Sequence, residues 1–185
     1  IDNVLTISSV AMLYMRIANC FEGVYKVAGV PRDFQQKCLV GGRCMTRDNK
    51  KWIINEDQVD YDAVSSYPSA LYRMKGFLKG APKVLKILTR DFIMKQSGFF
   101  VYILITKVNK KKHFPTLSYY KKNGIREYTN NMEGKFLYID KIALEDAEEH
   151  HGLEYKIIKG YYYDQGHNNT ICINEHFIKK LLRTP

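Results

Sequence analysis

The chain has 185 residues, 45% of them hydrophobic and 26% charged, and carries a formal net charge of +10. That composition is ordinary for a folded protein, not for a disordered chain, and supplies the apolar surface for one domain, or a domain with a small appendage. The excess of cations points toward an anionic partner, with a basic but inert surface as the alternative.

Residues 1–19 read as a linker entering an amphipathic helix, with Thr6 or Ser8 as its cap and Val10, Leu13, Tyr14 and Ile17 at helical spacing. Gly23 and Gly29 interrupt that pattern, and Pro31 opens a second short helix through Phe34 and Lys37. Gly41-Gly42 followed by Arg43 reads as a turn between two elements, or as a place where backbone approaches a ligand closely. Trp52, Ile53 and Ile54 suit a short strand, and Asn55-Glu56-Asp57 a turn.

The stretch from Gln58 to Tyr72 organises the rest. A short alternating run at 59–63 predicts a strand with Asp62 at its carboxyl end. Small residues then lead to Pro68, which fits the first turn of a helix continued by Ala70, Leu71, Tyr72 and Met74. With Ser66 or Tyr67 at the helix entrance, free N–H groups face the same space as the carboxylate. Such a place suits a divalent cation on the carboxylate and a phosphate beside the N–H groups.

Beyond it, Gly76, Gly80 and Pro82 end the helical pattern. Residues 83–88 alternate as a strand does, and 98–108 form a longer strand of aromatic and β-branched residues. Asn109-Lys110-Lys111-Lys112-His113 reads as a solvated hairpin tip, with a nuclear-import patch or a phosphate contact as alternatives. Residues 114–120 and 125–129 are strand-like around a Lys122-Asn123-Gly124 turn, and 135–139 is strand-like again. Leu144 to His150 reads as a helix stopped by Gly152. Its Glu148-Glu149-His150-His151 run reads as a solvated face, because consecutive helical residues point in different directions and form no ligand pair. Residues 153–163 suit a strand that crosses a sheet, 164–170 a loop, and Asn174 caps a last helix carrying Phe177, Ile178, Leu181 and Leu182.

Cys20, Cys38, Cys44 and Cys172 contain no Cys-x-x-Cys pair, which argues against a zinc ribbon and for reduced thiols in a cytosolic or nuclear setting. No apolar run reaches the roughly eighteen residues of a membrane span, and no signal peptide is evident.

The spacing Asp62, Ser65, Tyr67, Pro68, an Asp-x-x-Ser-x-Tyr-Pro pattern, resembles the first polymerisation motif of family B DNA polymerases. Leu39-Val40-Gly41-Gly42-Arg43 is similar to the Tyr-x-Gly-Gly segment of the protein-primed subgroup, with Leu39 in place of the Tyr, and Lys79-Gly80-Ala81-Pro82 to its later Gly-x-Pro turn. Phe114-Pro115-Thr116-Leu117, Glu127-Tyr128 and the run from Ile142 to His150 resemble that subgroup's terminal-protein-region insertion.

The resemblance implies an α+β fold, a partial polymerase palm with an antiparallel sheet and helices, plus a small α/β insertion subdomain. It implies an exonuclease-side tail at 1–40, partial palm at 41–88, and insertion with adjoining palm elements at 89–185. Under it, Asp62 is a catalytic carboxylate and, with the Ala63 carbonyl, a ligand of one of two Mg²⁺ ions. Ser65, Ser66 and Tyr67 hold the nucleotide, Tyr67 forming the floor under its sugar, while Gly41, Gly42 and Arg43 touch template. The implied partners are primer-template DNA, dNTP, a priming terminal protein, and the exonuclease, fingers and thumb domains, at an intracellular site of viral replication. Neither a Lys-x-x-x-Asn-Ser-x-Tyr-Gly helix nor a Tyr-x-Asp-Thr-Asp hairpin occurs in this sequence, so the chain alone is expected to be inactive. A polymerase-derived DNA-binding or virion structural module is the alternative.

Overall fold

A computed structural model describes residues 7–17, 19–42, 53–59, 61–63, 66–74, 76–121, 124 and 126–168. The chain divides into two compact units, one of Ile1–Phe21, Val40–Lys75 and Asn169–Pro185, the other of Glu22–Leu39 and Gly76–Asn168. The class is α+β, as the sequence predicts.

The first unit contains helices α1 (Ile7–Ile17) and α3 (Ser66–Arg73). Val10, Leu13, Tyr14 and Ile17 do fall on α1, but Ser8 lies inside the helix and not at its cap. The strands predicted at 53–54 and 59–63 do not form among the described residues, which run there as irregular exposed chain. The reason is that a strand satisfies its N–H and C=O groups only through a ladder partner, and no described residue supplies one. Thr6, Arg43, Trp52, Asp60, Ser65, Lys122, Asn123 and the helix predicted after Asn174 lie outside the described residues.

In the second unit, helix α2 (Gly29–Cys38) is followed by β1 (Lys83–Val84), α4 (Arg90–Met94), β2 (Gly98–Val108), β3 (Ser118–Tyr120), β4 (Arg126–Tyr128), β5 (Phe136–Asp140), α5 (Lys141–His151) and β6 (Leu153–Tyr163). An antiparallel sheet runs in the order β1-β6-β2-β5, and β3 and β4 form a separate hairpin. The predicted strands at 98–108 and 153–163 match β2 and β6, the two central strands. β1 is shorter than the predicted 83–88 and β3 shorter than 114–120, while α4 carries no sequence expectation at all.

Alternation along β2 sends Phe99, Val101, Ile103 and Ile105 to one face, all essentially inaccessible to solvent. There they meet Ile93 of α4, Leu144 and Ala147 of α5, and Leu85, Leu117, Met132, Ile139, Leu153 and Ile157. Each fully buried side chain of this size contributes about 1.5–3 kcal/mol. α5 starts where the Asp140 carboxylate accepts the Ala143 N–H at 2.9 Å, three residues ahead of the predicted start, and ends at left-handed Gly152 (φ 55°).

The opposite face is covered at one end by α2, whose Phe34 packs edge-on against Tyr138 (5.0 Å) and Tyr161 (5.3 Å). The β2–β6 ladder shifts register between Tyr102 and Ile103 and again between Ile105 and Lys107. Lys159 pairs with Tyr102 and Ile157 with Ile103, leaving Ile158 as an extra residue, a β-bulge that shifts which side chains face which way. At Gly160 a Cβ would sit 2.5 Å from the Phe100 carbonyl oxygen, so the strands close up only because no side chain is there.

Candidate active site

Asp62 and Ala63 lie in exposed irregular chain directly ahead of α3. Ser66 and Tyr67 are the first two residues of that helix and Pro68 the third, where a missing N–H removes no intrahelical bond. The Tyr67 side chain is open, with the residue 86% exposed, and Tyr61 is 94% exposed. Asp62 is therefore presented to solvent and not turned into a core, and no described element intervenes between it and Tyr67. A Cβ on Gly41 or Gly42 would meet no atom within 4 Å, so this backbone is open to a ligand. Among the described residues no three His, Cys, Asp or Glu side chains come together as a metal-binding group.

A second concentration of chemistry lies in the other unit, on the open half of the sheet face partly covered by α2. Tyr102 stacks on Phe136 (centroids 5.2 Å apart, planes 12° apart) and tilts against Tyr138 at 4.3 Å. Cations lie over these and neighbouring rings: Lys159 over Tyr102 at 5.7 Å, Lys37 over Tyr138 at 5.4 Å, Arg126 over Tyr120 at 4.3 Å and Lys135 over Tyr119 at 3.5 Å. All but Lys159 line a cleft of about 410 Å³ floored by β2 and β5 and walled by the β3–β4 hairpin. On the hairpin, the Glu127 carboxylate accepts the Tyr119 hydroxyl at 2.6 Å and lies 3.1 Å from Lys121. The Tyr119 hydroxyl first and Lys121 next hold its carboxyl below the usual range.

The Glu148-to-His151 run is no uniform solvated face. Glu148 receives a two-pronged bond from Arg90 (2.8 and 2.7 Å) and the Tyr155 hydroxyl at 2.7 Å. His151 is fully buried: its Nδ1 faces the Lys110 carbonyl at 3.2 Å, and its Nε2 accepts the Thr116 N–H at 3.2 Å. That pairing fixes the neutral ring with the proton on Nδ1. The basic 109–113 segment is not a hairpin tip, since β3 pairs with β4 and not β2. Its backbone is tied to His151 through the Lys110 N–H and to the Asn130 side chain through Lys112. Cys20 and Cys38 are buried; burial first and Asp140 second push the Cys38 thiol up to about 12.

A sequence-family model for DNA polymerase type B, organellar and viral, matches residues 1–183. The chain belongs to this polymerase family. Among solved structures, phi29 DNA polymerase complexed with primer-template DNA aligns with a TM-score of 0.60 at 19% identity, over 95% of this chain and 30% of the phage chain. An orthorhombic crystal form of phi29 DNA polymerase gives the same score and identity, and a ternary complex with incoming nucleotide substrates scores 0.55 at 16% identity. At such identities the likeness is one of fold. The chain spans about 30% of the length of these polymerases. A comparison with curated proteins returns no significant match.

For a type B polymerase chain the sequence motif thus falls on an exposed segment leading into a helix. The aromatic and cationic cleft is absent from the sequence reading. Its signal was present in the alternation of β2, which places Tyr102 opposite the core residues Val101 and Ile103, and in the Lys135-Phe136 pair at the start of β5.

Proposed function

We propose that the chain supplies the first catalytic carboxylate and the nucleotide cradle of a protein-primed type B DNA polymerase, which extends a primer by two-metal nucleotidyl transfer. The observation that carries this reading is the exposed Asp62 followed, without an intervening described element, by the exposed Tyr67 at the entrance of α3, in a chain of this family.

In this role the Asp62 carboxylate and the Ala63 carbonyl are hard oxygen donors suited to Mg²⁺. A two-ion centre needs at least one more carboxylate, and the described residues do not assemble one. Among the described residues the Mg²⁺ site is therefore incomplete, and Asp62 and Ala63 would contribute two of its oxygen ligands.

Tyr67 presents a flat ring to the sugar of a dNTP, and excluding a 2′-hydroxyl requires only that the ring occupy the space this group would fill. The N–H groups at the start of α3 and the Ser66 hydroxyl are donors suited to phosphate oxygens, and Ser65 is assigned the same role. Gly41 and Gly42, joined by Arg43, provide backbone that a template strand can approach closely. Residues 41–88 are assigned to the palm and 89–185 to the terminal-protein-region insertion and adjoining elements, with a priming protein as the implied partner. Remaining polymerase domains would supply the second carboxylate.

Primer extension by the complete polymerase carrying Asp62→Asn tests the reading. The rate is expected to drop by several orders of magnitude; wild-type extension removes Asp62 from the mechanism. Tyr67→Val is expected to raise ribonucleotide incorporation while leaving dNTP use largely intact. Unchanged sugar discrimination counts against the floor role.

A further inference from the structure

Unpaired bases and their phosphates need two things at once from a protein surface: exposed flat rings and cations beside them. The open half of the sheet face has both. Phe136, 49% exposed, closes a short stack with Tyr102 and Tyr138, leaving its outer face uncovered by any described ring. The bulge at Ile158 is what brings Lys159 to this face. Counting by twos from the core residue Ile157 would bury Lys159, whereas the extra residue turns it outward, opposite Tyr102.

The acids nearby are already engaged. Glu127 is held by Tyr119 and Lys121, Asp140 caps α5, and Glu154 accepts from Asn109 at 2.8 Å. Among the described residues Lys37 and Lys159 have no ion-pair partner, so their charge is available.

We propose that this face binds single-stranded DNA, stacking bases on Phe136 and Tyr102 and holding phosphates on Lys37, Arg126 and Lys159. A cleft of about 410 Å³ admits an unpaired base and not a duplex, whose base faces are hidden in its own stack. The site lies in a different unit from Asp62 and Tyr67 and does not depend on the catalytic reading.

Fluorescence anisotropy of the full chain with a labelled oligothymidylate of about fifteen nucleotides tests it. Affinity is expected to fall steeply with added salt. Phe136→Leu and Tyr102→Leu are each expected to weaken binding about tenfold, with Lys159→Ala producing a smaller loss and a shallower salt slope. Because Phe136 is half exposed, its variant retains the fold, and matching far-UV circular dichroism checks this. Asp62→Asn is expected to leave oligonucleotide binding unchanged, so loss of the catalytic reading and loss of this one are separable. Unaltered affinity in the folded Phe136→Leu chain overturns the proposal. So does tighter binding of a duplex of equal length, or a defect seen only in capture of the priming protein.

Discussion

His151 has no water to solvate a charge and already accepts from the Thr116 N–H, so protonating Nε2 costs both burial and a hydrogen bond. Its pKa is lowered from 6.5, burial being the main cause and the neighbouring Lys112 and His150 adding to it, against the raising effect of the Lys110 carbonyl. The unfolded chain therefore takes up this proton at a higher pH than the folded one. Stability from His151 is fully present above about pH 6.5 and is lost as pH falls from there toward the lower folded value. Urea unfolding at a series of pH values is expected to show this loss in wild type, and a flatter profile from a lower starting stability in His151→Gln. The burial was legible in the sequence, because Leu144, Ala147 and His151 follow the i, i+3, i+7 spacing of an inward stripe. The same spacing leaves Glu148 free to meet Arg90, a partner 58 positions away that no local pattern reveals. The Asp62 motif was equally legible as spacing, but spacing does not report whether its backbone is paired.

At the level of elements, β2 and β6 were readable because aromatic and β-branched runs end in clear stops, and because each carries its own partner in the other. The strand expected at 59–63 failed on that same condition: its side-chain alternation is strand-like, yet no described strand receives it. α4 escaped notice because five residues give barely more than one helical turn, too little for a periodic signal. Gly160 interrupts an aromatic strand for a reason visible only in three dimensions, the Phe100 carbonyl. Gly160→Ala is expected to force the two central strands apart and to cost about 1–3 kcal/mol. Thermal denaturation measures this, and a melting temperature equal to wild type would mean that the strands shift without penalty.

For the whole molecule, sequence order proved a poor guide to compactness. The second unit draws residues 22–39 and 76–168 together, with the Asp62 segment belonging to the other unit, because α2 finds its apolar partners in Tyr138 and Tyr161 and not in its chain neighbours. Long-range pairing of this kind leaves no trace in local composition. At this scale the expected behaviour is chemical incompleteness: the purified 185-residue chain, given primer-template DNA, dNTPs and Mg²⁺, is expected to yield no extension product while the complete polymerase does. Synthesis by the chain alone would mean that it provides a second carboxylate unaided.

The extra residue at 158 also sets a rule for change in this protein. Deleting Ile158 would set Lys159 directly after Ile157, on the outer face and still opposite Tyr102, so the downstream residues of β6 would keep both partner and side. Loss of one codon at that point is therefore tolerable, whereas loss of one within the regularly paired part of β6 would turn every residue beyond it to the wrong face.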